Sequence, residues 1–307
     1  MELKSKLRLE EEILSDIENI RKDWTLFQEK NFNARSEAID YLEFHVIDRL
    51  DALLESQDIP DQMTFLKKYA LNVRSHLEDV NRSIFHQFRS KISQDGYRGK
   101  LLMDLIEEYF DNNGSGFIHQ DTTGYDNLDI FLNGILSCQN PPVESKNREP
   151  EMVYFQKTPV RIIFELIKRA AFQPNDVFFD LGSGLGQAVI LVNLLTTVIS
   201  KGVEFEPAFC IYAKACSAEL HLMDVDFINT DARYADYSSG TIFFMYTPFE
   251  GKMLRDVIQN LQGESKKRRI KIFTYGQCSR EVAKQNWLIK EYEMEDSSGK
   301  LCIFHSA

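Results

Sequence analysis

A chain of 307 residues is long enough for a substantial core and for two domains of ordinary size, and 43% hydrophobic with 27% charged residues excludes a disordered chain. The formal charge of −11 is unevenly placed: residues 1–150 hold 18 basic and 28 acidic residues, whereas 151–307 hold 18 and 19. An acidic N-terminal half repels nucleic-acid phosphates, so no nucleic-acid partner is expected; it suits a basic protein partner, or simply solvated helix faces.

The cysteines Cys138, Cys210, Cys216, Cys278 and Cys302 are odd in number and show no CxxC spacing, so neither a disulfide framework nor a metal site is expected. The N-terminus runs into a charged periodic segment with no apolar core of a signal peptide. The most apolar stretch, Ala188–Ile199, is interrupted by Asn193, Thr196 and Thr197 and is too short to span a bilayer. A cytoplasmic protein without a membrane partner is the expectation, and the sequence leaves the oligomeric state open.

The chain opens helical. Leu3, Leu7, Ile13, Leu14, Ile17 and Ile20 recur at three- and four-residue spacing, and Ile39, Leu42, Phe44, Val46, Ile47, Leu50, Leu53 and Leu54 resume the pattern as a second core stripe. Pro60 and Asp61 start a helix that runs to about Ile92; the Asp111–Gly116 run breaks a shorter one, and Leu128–Leu136 is another apolar piece. This gives an all-helical N-terminal domain, 1–138. Residues 139–150, with Pro141-Pro142 and mixed charge, read as a linker to a third region, 151–307.

There the texture changes. Val177–Asp180 is a short buried strand, Gln187–Ile199 a helix, Gly202–Glu204 the end of a second strand and Pro207–Leu220 a second helix. Asp226–Ile228, Ile242–Met245 and Ile270–Thr274 are further strands, with a helix Glu250–Leu261 between the last two. Trp287–Met294 and Leu301–His305 form a terminal hairpin about Ser297-Ser-Gly299. Strands alternating with helices imply an α/β fold with a parallel sheet.

The run Phe178-Phe-Asp180-Leu-Gly182-Ser183-Gly184-Leu-Gly186-Gln187 sits where the first strand meets the first helix. Glycines let the backbone turn and approach a ligand closely, and the helix start offers free N–H groups. A dinucleotide loop spaces its glycines G-x-G-x-x-G and needs no acid before them. Here the third glycine follows the second by two residues, and Asp180 favours a cationic ligand over a pyrophosphate. S-adenosylmethionine (SAM) carries an amino group and a sulfonium, which favours SAM over NAD as the cofactor. Glu204 lies 18 residues beyond Gly186 (204 − 186), where it can accept from ribose hydroxyls, and Asp231 follows the third strand, where it can accept from an adenine amino group. Taken singly, each is equally well a helix cap or a loop acid.

Residues 151–262 resemble class I SAM-dependent methyltransferases, and within these the core of the disruptor-of-telomeric-silencing family of histone-lysine methyltransferases. The residues that carry this are Phe155-Gln-Lys-Thr158, Asp180 through Gln187, and Gly202-Val-Glu204. The resemblance implies a Rossmann-like sheet and a SAM site. It places Thr158 at the methionine part of SAM, Asp180, Gly182 and Gln187 around it, Glu204 at the ribose and Asp231 at the adenine; Ser183, Gly184 and Gly186 complete the loop. The chain departs from the family in having Phe155 in place of a tyrosine and Met245-Tyr246-Thr247-Pro248-Phe249 in place of an asparagine-containing segment. Tyr246 is the candidate for orienting the methyl acceptor, with a core aromatic as its alternative. Three functions follow: methylation of a protein, lysine included; methylation of a small molecule under a helical lid; or SAM binding in an interaction protein without catalysis.

Overall fold

The computed structural model describes residues 2–54, 61–110, 124–137, 139–291 and 299–307. Pro60, the Asp111–Gly116 break, Cys138 and the 292–298 portion of the expected hairpin lie outside the described residues. The chain divides into two compact units, one of residues 1–88 and 108–112, the other of 89–107 and 113–307. Among the described residues no helix is long and apolar enough to cross a membrane.

The first unit is helical: α1 (Glu2–Lys22), a 3-10 turn (Trp24–Phe27), α2 (Phe32–Tyr41), a π-helical stretch (Leu42–Ile47), α3 (Asp48–Leu54) and the greater part of α4 (Asp61–Ser93). Its core takes Ile13 and Ile17 from α1 and Met63, Leu66, Ala70, Val73 and Leu77 from α4, the three- and four-residue spacing that puts side chains on one helix face. Phe44 departs from the stripe expected of it and is 64% exposed. The reason is the π turn, in which the Asp48 N–H bonds to the Glu43 carbonyl, five residues back. The wider turn rotates Phe44 outward while Leu42, Val46 and Ile47 stay buried.

Arg35 is completely buried in this unit. Its Nε donates to the Asn81 amide oxygen at 2.6 Å and its Nη1 to the Leu26 and Gln28 carbonyls at 2.9 and 2.8 Å. Burial pulls the guanidinium down to about 10. Replacing Arg35 by Ala strands two buried acceptors, the Asn81 amide oxygen and the Leu26 carbonyl, at about 1–3 kcal/mol apiece. Urea unfolding followed by far-ultraviolet circular dichroism is expected to show a clearly lower midpoint for Arg35→Ala, and an unchanged midpoint would refute this role.

The second unit is built on a seven-stranded sheet: β1 (Val177–Leu181), β2 (Ile199–Glu204), β3 (Val225–Asn229), β4 (Ile242–Tyr246), β5 (Lys271–Tyr275), β6 (Leu288–Lys290) and β7 (Leu301–Ser306). The order is β3-β2-β1-β4-β5-β7-β6. The first five pair in parallel; β7 runs antiparallel to both β5 and β6. Continuous apolar runs such as Phe178-Phe179 and Ile242-Phe-Phe-Met245 are what strands covered on both faces require. The crossovers are α8 (Gln187–Thr196), α9 (Pro207–Glu219) and α10 (Gly251–Ser265). Further helices of the chain are α5 (Gly99–Phe110), α6 (Asn127–Leu136), α7 (Val160–Ala170) and a short α11 (Cys278–Val282). The helix after the glycine loop stops at Thr196, three residues before the expected end, because Thr197 turns left-handed and Ile199 already belongs to β2.

The strand order reverses at β1, with β2 to one side and β4 to the other. In open α/β sheets the crevice beyond the carboxyl ends at such a reversal is where ligands bind.

Candidate active site

Three strands deliver residues at their carboxyl ends to that crevice. Asp180 lies opposite Gly202 in the β1–β2 register, which leaves Glu204 two residues further along β2, and Tyr246 closes β4 opposite Tyr275 of β5. Between β1 and α8 the chain crosses the crevice on glycine. Gly182 and Gly184 are left-handed, and a Cβ would fall 2.3 Å from Pro248 at the first and 2.1 Å from the Phe155 ring at the second. Gly184 N–H donates to Glu204 Oε2 at 2.7 Å, and Glu206 N–H donates to Oε1 at 2.8 Å, so the carboxylate is aimed across the loop with a lone pair left on each oxygen.

The opposite wall comes from the chain ahead of β1. Its anchors are acids. Glu206 accepts from the backbone of Ser145 and Lys146 and from Ala208 N at the start of α9. Glu151 accepts from Lys252 and Met253 N at the start of α10. Asp129, on α6, accepts from Val160 N at 2.9 Å, and the Tyr125 hydroxyl donates to the Lys157 carbonyl. This strap, residues 144–158, also pairs with the segment after β4, through Val153 N to the Pro248 carbonyl at 3.1 Å. Thr247 within that segment has φ +35°, unusual for a β-branched residue. Its hydroxyl is tied on both sides, donating to the Tyr275 carbonyl and accepting from Cys278 N.

One cleft is thereby lined by Thr158, Asp180, Gly182, Ser183, Gln187, Glu204, Asp231 and Tyr246. Gly184 and Gly186 do not line it: the first lies under Phe155, and the second caps α8 against Phe227 and Ala213. Lys157, Phe205, Pro248 and the strap residues Lys146 and Arg148 line the same cleft and were not marked out in the sequence. For Lys157 a signal existed, its place within Phe155-Gln-Lys-Thr158 beside an expected site residue.

The electrostatics at the end of β1 are set by buried acids. Asp180 is 5% exposed and its carboxylate bonds to no group among the described residues. Burial, with Glu204 alongside, pushes it up to about 8. Burial also raises Glu204, against the backbone N–H groups of Glu206, Gly184 and Phe205 that favour its charge. Ser183 Oγ and both amide atoms of Gln187 are buried without a partner among the described residues. Asp231 differs: burial would raise it, but bonds from the Arg233 guanidinium and backbone outweigh that and hold it below the usual carboxylate range. For Glu206, likewise, the bonds from Ser145, Ala208 and Lys146 outweigh burial. Tyr246 is pushed up to about 12, by burial first and then by Tyr125 and Tyr275, so it is a neutral hydroxyl able to donate or accept. Its ring lies 4.8 Å from that of Tyr275. Among the described residues, no three His, Cys, Asp or Glu side chains gather as a metal site.

Comparison with known proteins accords with this geometry. Residues 149–296 match the family model described as histone methylation protein DOT1. These residues form a SAM-dependent methyltransferase domain similar to that family. No curated protein matches the chain in sequence. Similar solved structures include an RNA methyltransferase from Salinibacter ruber with S-adenosyl-L-homocysteine, 20% identical over 49% of this chain and 92% of that one, TM-score 0.37. A SAM-dependent methyltransferase from Geobacter sulfurreducens, also with S-adenosyl-L-homocysteine, is 22% identical over 38% of this chain and 48% of that one, TM-score 0.31. The ribosomal protein L11 methylase from Lactobacillus delbrueckii subsp. bulgaricus is 15% identical over 48% and 77%, TM-score 0.36. The methyltransferase domain carries the seven-stranded order described above, with its hairpin, and SAM is its cofactor.

The buried acid has a cost in the ligand-free methyltransferase. The folded value of about 8 for Asp180 lies above the ordinary 3.8. Between the two values the folded state holds the extra proton, so stability falls as pH rises through that window. Asp180→Asn removes this loss. Thermal unfolding is expected to show the variant melting above wild type near pH 8, with the gap closing toward pH 3.8. Parallel melting at both ends would show that Asp180 carries no such burden.

Proposed function

We propose that this domain methylates an amine on a protein, a lysine side chain, with the acceptor entering between the strap and the segment after β4. What carries the reading is the match of residues 149–296 to a histone-methylation family, and the cleft chemistry agrees with it. Bound SAM supplies an electrophilic methyl group on a sulfonium; the remaining work is positioning and exclusion of water. Asp180 holds the ammonium of the methionine arm, and Gln187 and Ser183 turn their orphaned polar atoms to that arm, with Thr158 beside it. Gly182, which lines the cleft, presents bare backbone to that arm. Glu204, held by Gly184 and Glu206 N–H, receives the ribose hydroxyls on its free lone pairs. Asp231 faces the adenine while shared with Arg233. Tyr246 orients the acceptor nitrogen as a neutral hydroxyl and not as a base, since it is pushed up to about 12. The acidic helical region 1–138 recruits a basic substrate protein.

Two experiments bear on this. Methyl-labelled SAM incubated with the full chain and a panel of basic proteins is expected to label lysine, located by mass spectrometry, with release of S-adenosylhomocysteine. Labelling confined to small molecules would replace the protein-substrate reading. Separately, Glu204→Ala is expected to weaken S-adenosylhomocysteine binding by roughly 1–3 kcal/mol while the chain stays folded. Unchanged affinity would remove Glu204 from the ribose. Glu206 is no substitute, since its oxygens already hold the strap and cap α9.

A further inference from the structure

Three cations line the cleft, Lys146, Arg148 and Lys157. Two are accounted for. Lys146 reaches the Phe205 carbonyl and lies over its ring, and Arg148 pairs with Glu144 and stacks on Tyr154. Lys157 differs: its ammonium makes no hydrogen bond or ion pair among the described residues, although its side chain is only partly exposed. Asp129 attracts it, yet from beyond ion-pair reach, and spends its own oxygens on Val160 and Asp126 N–H. The Lys157 backbone is fixed, through the Tyr125 hydroxyl on its carbonyl and through α7, which starts three residues later. A cation held half out of water with no counter-charge is costly unless something anionic arrives.

The cleft therefore offers an unpaired acid, Asp180, an unpaired cation, Lys157, and an amide, Gln187, whose donor and acceptor are both orphaned. That is the complement of an amino-acid zwitterion. We propose that the Lys157 ammonium pairs with the carboxylate of the methionine arm of SAM, a role that rests on the placing of SAM in this cleft. Asp180 and Lys157 then divide the two charges of the arm between them and fix its direction, which sets where the methyl group points.

The test uses two ligands that differ in that arm. S-adenosylhomocysteine has it; 5′-methylthioadenosine keeps the nucleoside and thioether but lacks the amino acid. Calorimetry on the full chain is expected to show that Lys157→Met loses at least about tenfold in affinity for S-adenosylhomocysteine, as loss of a charged hydrogen bond implies. Its affinity for 5′-methylthioadenosine is expected to match wild type, and Lys157→Arg to restore most of the loss. Equal loss toward both ligands would mark Lys157 as structural and overturn the proposal, as would normal binding of both. Should Lys157→Met fail to fold by circular dichroism, Lys157→Gln takes its place with the same expected outcomes. A wild-type chain that binds neither ligand would sink the SAM placement itself, a result distinct from any pattern among the variants.

Discussion

Two carboxylates near the carboxyl ends of adjacent parallel strands, with no cation between them among the described residues, are the constraint on which the rest of this domain turns. Asp180 and Glu204 are brought together by the β1–β2 register, and burial raises both above their ordinary range. A fold selected only for stability has little reason to hold such a pair. The cost is reduced in two ways: Glu204 accepts from two backbone N–H groups, and Asp180 takes up a proton. Neither removes the demand for positive charge. In the proposed reading the ammonium of the methionine arm meets it at Asp180, while Glu204 takes the ribose hydroxyls.

The second organising feature is the strap ahead of β1. Of the acids around the cleft, Glu151, Glu206 and Asp129 act as clamps, each accepting backbone N–H groups from a neighbouring segment. They bring Thr158 and Lys157 to one side of the crevice and set Phe155 over Gly184. Pro248 meets Gly182 from the other side, so the loop after β4 and the strap close around the glycine turn as one wall. Thr247 is held left-handed at that junction by bonds to β5 and α11, and strain kept at such a place is consistent with a site whose geometry is tightly specified.

The sheet was legible in the sequence because strands buried on both faces announce themselves as short apolar runs; Val177–Asp180 and Ile242–Met245 fall within a residue of β1 and β4. The glycine loop was legible because its spacing, its leading acid and its strand–helix setting all point one way. Less visible were features whose cause lies in tertiary structure. The amphipathic α7 went unread despite its apolar face, since its start is fixed by Asp129 from a distant helix and not by a local cap. The outward turn of Phe44 depends on one π turn that no periodicity signals. The anchoring work of Glu206 and the occupation of Asp231 by Arg233 depend on partners that come near only when the chain folds. Lys157 sits beside an expected site residue, but its distinction, the lack of a partner among the described residues, shows only in the folded chain.

The central claim is that the acid-bearing glycine loop selects a cationic, SAM-type ligand over a pyrophosphate. Calorimetric titration of the full chain with SAM and, in parallel, with NAD tests it directly. SAM is expected to bind saturably and NAD to give no heat of binding. Tight binding of NAD with no response to SAM would contradict it, and would mean that the paired acids serve some other cation.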